Sequence, residues 1–163
     1  MQAVSIECII RSLNEAGVRY LVVGGLAVNA HGYARMTRDL DLVIHLEPSN
    51  IRATMKALFG LGYQLAIPVT PEEFEDPLIR QHWTLERNMI VLKLWSDTHA
   101  RTPIDIFIEE PFCFNEEMEK AVHLELSQGV HVPFVSLQTL IEMKKMAGRS
   151  LDLLDIRELT RKS

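Results

Sequence analysis

The stretch Tyr20 to Ile44, YLVVGGLAVNAHGYARMTRDLDLVI, decides the reading of this chain. Tyr20 to Val23 is an apolar run of strand character. Gly24-Gly25 directly after it opens backbone conformations that a Cβ disfavours, so a strand-to-helix corner is expected. The unbonded N–H groups at the helix start and the positive end of its dipole favour an anion. The missing Cβ atoms let phosphate oxygens approach the backbone closely. Asp39 and Asp41 then stand two residues apart at the mouth of the next apolar run, Leu42 to Leu46. On a strand their side chains share one face. Neighbouring carboxylates repel and lose hydration, an arrangement usually maintained by a cation, and Mg²⁺ typically takes one or two carboxylates plus substrate phosphates. The order strand, glycine turn, short helix and paired aspartates points to a site for a metal-bound nucleoside triphosphate.

A third carboxylate belongs to the same reading. Thr102 to Glu109, TPIDIFIE, sets Asp105 among apolar neighbours on an expected central strand, where a carboxylate rarely points inward without a partner. If that strand lies beside the Asp39 strand, Asp105 completes a cluster able to hold two cations. One would lower the pKa of an attacking hydroxyl and one would neutralise a leaving pyrophosphate. Other uses of Asp-x-Asp fit less well. Dehalogenase-like phosphatases place their aspartates after a hydrophobic strand, whereas Leu42 to Leu46 follows the pair.

Outward from this centre, Ile6, Ile9, Ile10 and Leu13 recur at helical spacing and stop at Gly17, which predicts a helix covering the first strand. Pro48 opens a second helix with Ile51, Met55, Leu58 and Phe59 as its apolar stripe. Pro68 to Pro77 reads as an acidic loop. His82 to Glu86 and Met89 to Trp95 read as short β-like runs that could pair across Arg87-Asn88. Ile104 to Ile108 reads as a further strand. Ser136 to Ala147 and Leu151 to Leu159 are helical patterns, with Ser136 as N-cap and Gly148 as stop.

The 163 residues, 47% hydrophobic and 24% charged, suit one globular domain. No apolar run approaches the roughly 20 residues that span a bilayer, so a cytoplasmic chain away from any membrane is expected. Cys8 and Cys113 are too few and too distant for a zinc framework and are expected to be reduced and buried. A net charge of −5 argues against gripping long nucleic acid with the whole surface. No spacing among the six histidines makes a zinc site, and His31 is the one nearest the glycine turn. Arg35 and Arg38 flank Thr37 just ahead of the aspartate pair, each either reaching a phosphate or lying in solvent. Trp83 and Trp95 are expected to pack in the core or the hairpin.

Gly24-Gly25, thirteen intervening residues, Asp39-Leu40-Asp41 and the later Asp105 together resemble the nucleotidyltransferase superfamily that includes DNA polymerase beta. More narrowly, GGLAVNAHGYARMTRDLDLVI and the tail SLQTLIEMKKMAGRSLDLLDI are similar to small bacterial nucleotidyltransferases related to the AbiEii toxins of type IV toxin–antitoxin systems. The closing helices of that group carry a lysine, an arginine and two aspartates, here Lys144, Arg149, Asp152 and Asp155. Many superfamily members have Gly-Ser at the phosphate turn, where this chain has Gly25.

The resemblance implies an α/β (α+β) fold: a mixed sheet flanked by helices, with a core over residues 1 to about 134 and a helical tail over about 135–163. It implies transfer of a nucleoside monophosphate from a nucleoside triphosphate to a hydroxyl of RNA such as a tRNA end, of a protein or of a small molecule. Asp39, Asp41 and Asp105 would be the catalytic metal ligands, and Gly24, Gly25, Arg38 and Lys144 the nucleotide-binding residues. Mg²⁺, as two ions with Mn²⁺ as a substitute, would be the cofactor, and an antitoxin protein a further partner. Arg149 would pair with Asp152 or Asp155 at the helix junction. The alternative is a non-catalytic nucleotide-binding or protein-interaction module of the same fold.

Overall fold

The computed structural model describes residues 1–161. Helix α1 (Ala3–Glu15) buries Ile9, Ile10 and Leu13 and leads into strand β1 (Tyr20–Val23), which is buried throughout. Left-handed backbone at Gly24 turns the chain at once into α2 (Gly24–Ala30), and β2 (Leu40–Ile44) returns antiparallel to β1. Next come α3 (Pro48–Gly60), the short β3 (Gln64–Leu65), α4 (Pro71–Glu75) and α5 (Pro77–Arg87). Strands β4 (Val91–Trp95) and β5 (Ile104–Phe107) follow, then α6 (Phe114–Lys120) and the hairpin of β6 (Val122–Ser127) with β7 (Val130–Phe134). Helices α7 (Leu137–Ala147) and α8 (Ser150–Arg161) form the tail.

The strands make one mixed sheet in the order β3-β4-β5-β2-β1-β7-β6. β2 runs parallel to β5 and β1 parallel to β7, while the other neighbours are antiparallel. Strands covered on both faces lose the polar alternation of a half-exposed strand, and this is why β1, β2 and β5 read as near-continuous apolar runs. The expected class stands: a mixed sheet flanked by helices, with a helical tail. Of the expected tail segment, residues 162–163 lie outside the described residues. Ser136 caps α7 by accepting from the Thr139 N–H, and Gly148 ends it in left-handed conformation, both as expected.

Three expectations are corrected. His82 to Glu86 is the middle of helix α5, not a hairpin strand. The Asp76 side chain accepts from the Leu78 N–H, Pro77 sits in the first turn, and Asn88 closes the helix in left-handed conformation. The burial of Trp83 against Phe74 then outweighs the β-propensity of a short stretch. The acidic stretch from Pro68 contains α4, which a reciprocal capping box between Thr70 and Glu73 starts. Cys8 is half-buried and Cys113 exposed, so neither is a core thiol, and both are free. Helix α6 and the β6–β7 hairpin were not anticipated. β6 shows no burial alternation, because as an edge strand it is exposed along nearly its whole length.

The helical assignment is testable because a strand would put Trp83 and Leu85 on one face and a helix separates them. Trp83→Ala is expected to lower unfolding free energy by about 3–5 kcal/mol. Leu85→Ala, at an exposed position, stays within about 0.5 kcal/mol of wild type. Urea unfolding measures both, and equal losses would overturn the helix.

Candidate functional site

Sheet register assembles the site. Asp41 on β2 is the register partner of Asp105 on β5, and Lys93 on β4 is the partner of Asp105 from the other side. Residues directly opposite across a sheet present side chains to the same face, so Lys93, Asp105 and Asp41 form one row. Asp39 lies just before β2 on the same face as Asp41. The row opens into a cleft of about 360 Å³. Gly24, Gly25 and the three aspartates line one side, and Leu140, Met143, Lys144 and Arg149 of the tail region line the other.

The glycine turn serves this geometry in a way the sequence did not disclose. A Cβ on Gly24 would fall on the Asp41 carboxylate, and one on Gly25 would fall on the Thr37 side chain. Gly24 also has φ +64°, which residues with a side chain rarely adopt. The room left by both glycines is thus taken by the chain's own side chains. The Gly25 N–H acts on the Asp41 carboxylate, so this aspartate already sits at the positive end of α2.

The carboxylates are electrostatically strained against each other. Burial, then the charges of Asp105 and Asp39, push the Asp41 carboxyl up to about 7, against smaller opposing effects of the Gly25 N–H and Lys144. Burial also raises Asp105, although the Lys93 ammonium holds it down in part. Lys93 Nζ stands 3.1 Å from Asp105 Oδ1 and 3.9 Å from Asp39 Oδ1. The closer approach is an ion pair without hydrogen-bond alignment, and the buried Oδ1 accepts no aligned hydrogen bond. For Lys93, partial burial works against the charged form, but the Asp105, Asp39 and Asp41 carboxylates outweigh it and raise the pKa. Lys93 is the site residue that sequence reasoning missed.

The donor set suits a divalent cation. All three groups are hard oxygen ligands, the buried Asp105 Oδ1 has the Lys93 ammonium nearby but no aligned hydrogen bond, and Asp41 carries crowding that a cation would relieve. Among the described residues, however, no group of three His, Cys, Asp or Glu side chains stands ready-formed as a metal cage.

The tail supplies an opposing, cation-rich wall. Lys144 is buried and its Nζ lies 3.0 Å from Asp152 and 2.7 Å from Asp155. Arg35 clamps Asp155 with Nε at 2.6 Å and Nη2 at 2.7 Å, while Arg149 holds Asp152 through Nε at 2.7 Å. Desolvation would raise both aspartates. Arg149 and Lys144 at Asp152, and Arg35 and Lys144 at Asp155, more than offset it, and both end lowered. Arg149 therefore pairs with Asp152, as the sequence reading preferred, and the guanidinium of Arg35 is committed to Asp155. Arg38 lines the cleft and is exposed. His31 is bonded through Nε2 to the Val135 carbonyl and stands apart from this chemistry. Trp95 is 41% exposed on β4.

Two outcomes follow. Lys144→Ala takes one of two cations from each of two buried carboxylates, which keep Arg149 and Arg35, and is expected to cost about 3 kcal/mol in urea unfolding, whereas Lys145→Ala on the exposed face stays within about 0.5 kcal/mol. A loss below 1 kcal/mol for Lys144→Ala would show that the network does not hold the tail. For Asp41, the folded carboxyl keeps its proton up to about 7, while the unfolded one titrates near the ordinary value of about 3.9. The folded state binds the extra proton between these limits, so this group's contribution is full below about 4 and is lost as pH rises to about 7. In chelator, Asp41→Asn is expected to gain on wild type across that window by on the order of 4 kcal/mol. A stability difference flat from pH 4 to 8 would contradict the assignment.

No protein-family profile matches the chain, and no curated protein does. Solved structures do match. The lincosamide antibiotic adenylyltransferase LnuA, solved with lincomycin bound, aligns with TM-score 0.59 at 15% identity, over 91% of this chain and 89% of that one. ANT(2")-Ia in complex with adenylyl-2"-tobramycin aligns with TM-score 0.63 at 12% identity, over 99% and 88%. An antigenic nucleotidyltransferase-like protein from Paracoccidioides brasiliensis aligns with TM-score 0.60 at 16% identity, over 99% and 76%. Similarity at such low identity and near full coverage speaks to architecture, and the architecture of this chain is the nucleotidyltransferase fold.

Proposed function

We propose that this chain is a metal-dependent nucleotidyltransferase that moves a nucleoside monophosphate from a nucleoside triphosphate to a hydroxyl acceptor. The observation that carries the proposal is the register of Asp41 against Asp105 on adjacent parallel strands, beside Asp39, inside a cleft whose far wall is cationic. In the reaction an acceptor hydroxyl oxygen forms a bond to the α-phosphorus and loses its proton to solvent, the bond from that phosphorus to the bridging oxygen breaks, and pyrophosphate leaves. Asp39, Asp41 and Asp105 would hold Mg²⁺, or Mn²⁺ in its place. The ion would supply neutralisation of phosphate charge and a lowered pKa for the attacking hydroxyl. The protein's own groups do the positioning. Arg38, exposed and lining the cleft, is free to turn toward triphosphate oxygens, while Arg149, held on Asp152, adds positive charge at the cleft edge. Lys144 acts from behind them as a fixed positive charge, because its ammonium is already shared between two aspartates. Gly24 and Gly25 keep the Asp41 carboxylate and the Thr37 side chain in place at the mouth of α2.

For the acceptor, a small-molecule hydroxyl is the first class to test. LnuA and ANT(2")-Ia, which share the fold, were solved with lincomycin and with adenylyl-2"-tobramycin, and the net charge of −5 disfavours a broad nucleic-acid surface. An RNA end and a protein hydroxyl are the other classes, and an antitoxin protein is the partner to test beside them. No helix among the described residues is long and apolar enough to cross a membrane.

The experiment uses wild type and Asp105→Asn with each α-labelled ribonucleoside triphosphate, Mg²⁺ and acceptor panels of the three classes. Wild type should transfer label, and Asp105→Asn should lose transfer by on the order of 10²-fold while unfolding cooperatively. A Mg²⁺-dependent rise in thermal midpoint with one triphosphate identifies the donor without any acceptor. Neither transfer nor a nucleotide-dependent shift in the wild type would overturn the enzyme reading and leave a protein-interaction module.

A further inference from the structure

The cation that stands at Asp105 in this structure is a side chain. Lys93 belongs to β4, the strand on the far side of Asp105 from Asp41, and antiparallel register places it directly opposite Asp105. Its ammonium reaches along the row to lie 3.1 Å from Asp105 Oδ1 and 3.9 Å from Asp39 Oδ1, and these are its ion pairs among the described residues. Asp39 precedes β2 and Asp105 lies on β5, so the lysine bridges two sequence-distant carboxylates.

An ordinary surface ion pair has both partners in water and contributes little. Here one partner is not in water: the Asp105 side chain is 12% exposed and its Oδ1 accepts no aligned hydrogen bond, whereas the Lys93 side chain is 49% exposed. A half-exposed lysine on a flexible stem can place its charge into such a gap, and it can also be replaced without opening the core. Charge balance agrees. Three carboxylates are neutralised by one ammonium and one divalent ion, and a second divalent ion leaves twice the excess positive charge with the ammonium present that it leaves without it. The absence of a ready three-carboxylate cage among the described residues fits the same picture, since the ammonium stands between two of the three groups.

We propose that Lys93 is the built-in counter-cation of Asp105 and Asp39, taking the place of one divalent ion, so that the nucleotide-free site takes up a single divalent cation beside Asp41. This rests on the reading that the three aspartates form a cation site.

Mn²⁺ titration followed by electron paramagnetic resonance, on the full chain without nucleotide, counts bound ions independently of any activity. Lys93→Met is expected to bind one Mn²⁺ more than wild type, two against one. Lys93→Arg, which keeps the charge, is expected to bind the wild-type number. Circular dichroism and a cooperative thermal transition confirm that each variant is folded. Equal non-zero counts in wild type and Lys93→Met would overturn the role of Lys93 and leave the metal site standing. No Mn²⁺ bound by either protein would overturn both this inference and the cation site on which it rests.

Discussion

The close approach of the Asp41 carboxylate to Gly24, where a Cβ would fall on it, is the constraint around which the rest of the site is arranged. At that point three elements meet: the end of β1, whose Val23 pairs with Asp41, the first turn of α2, and the start of β2. The same residue fixes β5 through its register with Asp105. Any side chain at residue 24 would displace the carboxylate, and any shift in the β2 register by one residue would send Asp41 to the opposite face. The arrangement costs stability, because a carboxylate is held out of water next to two others. It persists because the Gly25 N–H and the charge of Lys144 act on it favourably and because the central strands of the sheet around it are thoroughly apolar.

A second constraint closes the cleft from the other side. Three cations, Arg35 of the α2–β2 loop and Lys144 and Arg149 of the tail, share two buried aspartates, so the cluster as a whole carries surplus positive charge across the cleft from the row of carboxylates. The cleft is therefore polarised across its width, a suitable field for a ligand that carries negative phosphates at one end and a cation between those phosphates and the sheet. The network also ties the tail to the loop between α2 and β2, since Arg35 belongs to that loop and Asp155 to α8.

The centre of the fold was legible in the sequence because its signals are local. Apolar runs marked β1, β2 and β5, and Ser136 and Gly148 marked the limits of α7. The three aspartates could be singled out because charge inside an apolar run is conspicuous. What stayed hidden depends on pairing at a distance. Lys93 sits in an ordinary alternating strand, and only the register with β5 gives it two carboxylate neighbours. Arg35 finds its partner 120 residues away, so nothing in its neighbourhood distinguishes it from Arg38. Helix α5 was misread because Trp83 and Thr84 favour strands locally, while the tertiary contact of Trp83 with Phe74 decides for the helix. The glycine turn was recognised but its purpose was not, because the atoms that fill its space come from Asp41 and Thr37.

The shared burial of Asp155 has a consequence for how such a chain can change over generations. Asp155 is wholly inaccessible and receives Arg35 from one side and Lys144 from the other. Replacing Asp155 leaves two cations without their shared carboxylate in a place water hardly reaches, whereas replacing Arg35 or Lys144 leaves the aspartate one cation still bound. Positions 35 and 144 are thus coupled through position 155, and a lineage that abandons the aspartate has to abandon or rebuild both of its cations. Arg38, with no such obligation, is at liberty to vary with whatever the cleft is asked to hold.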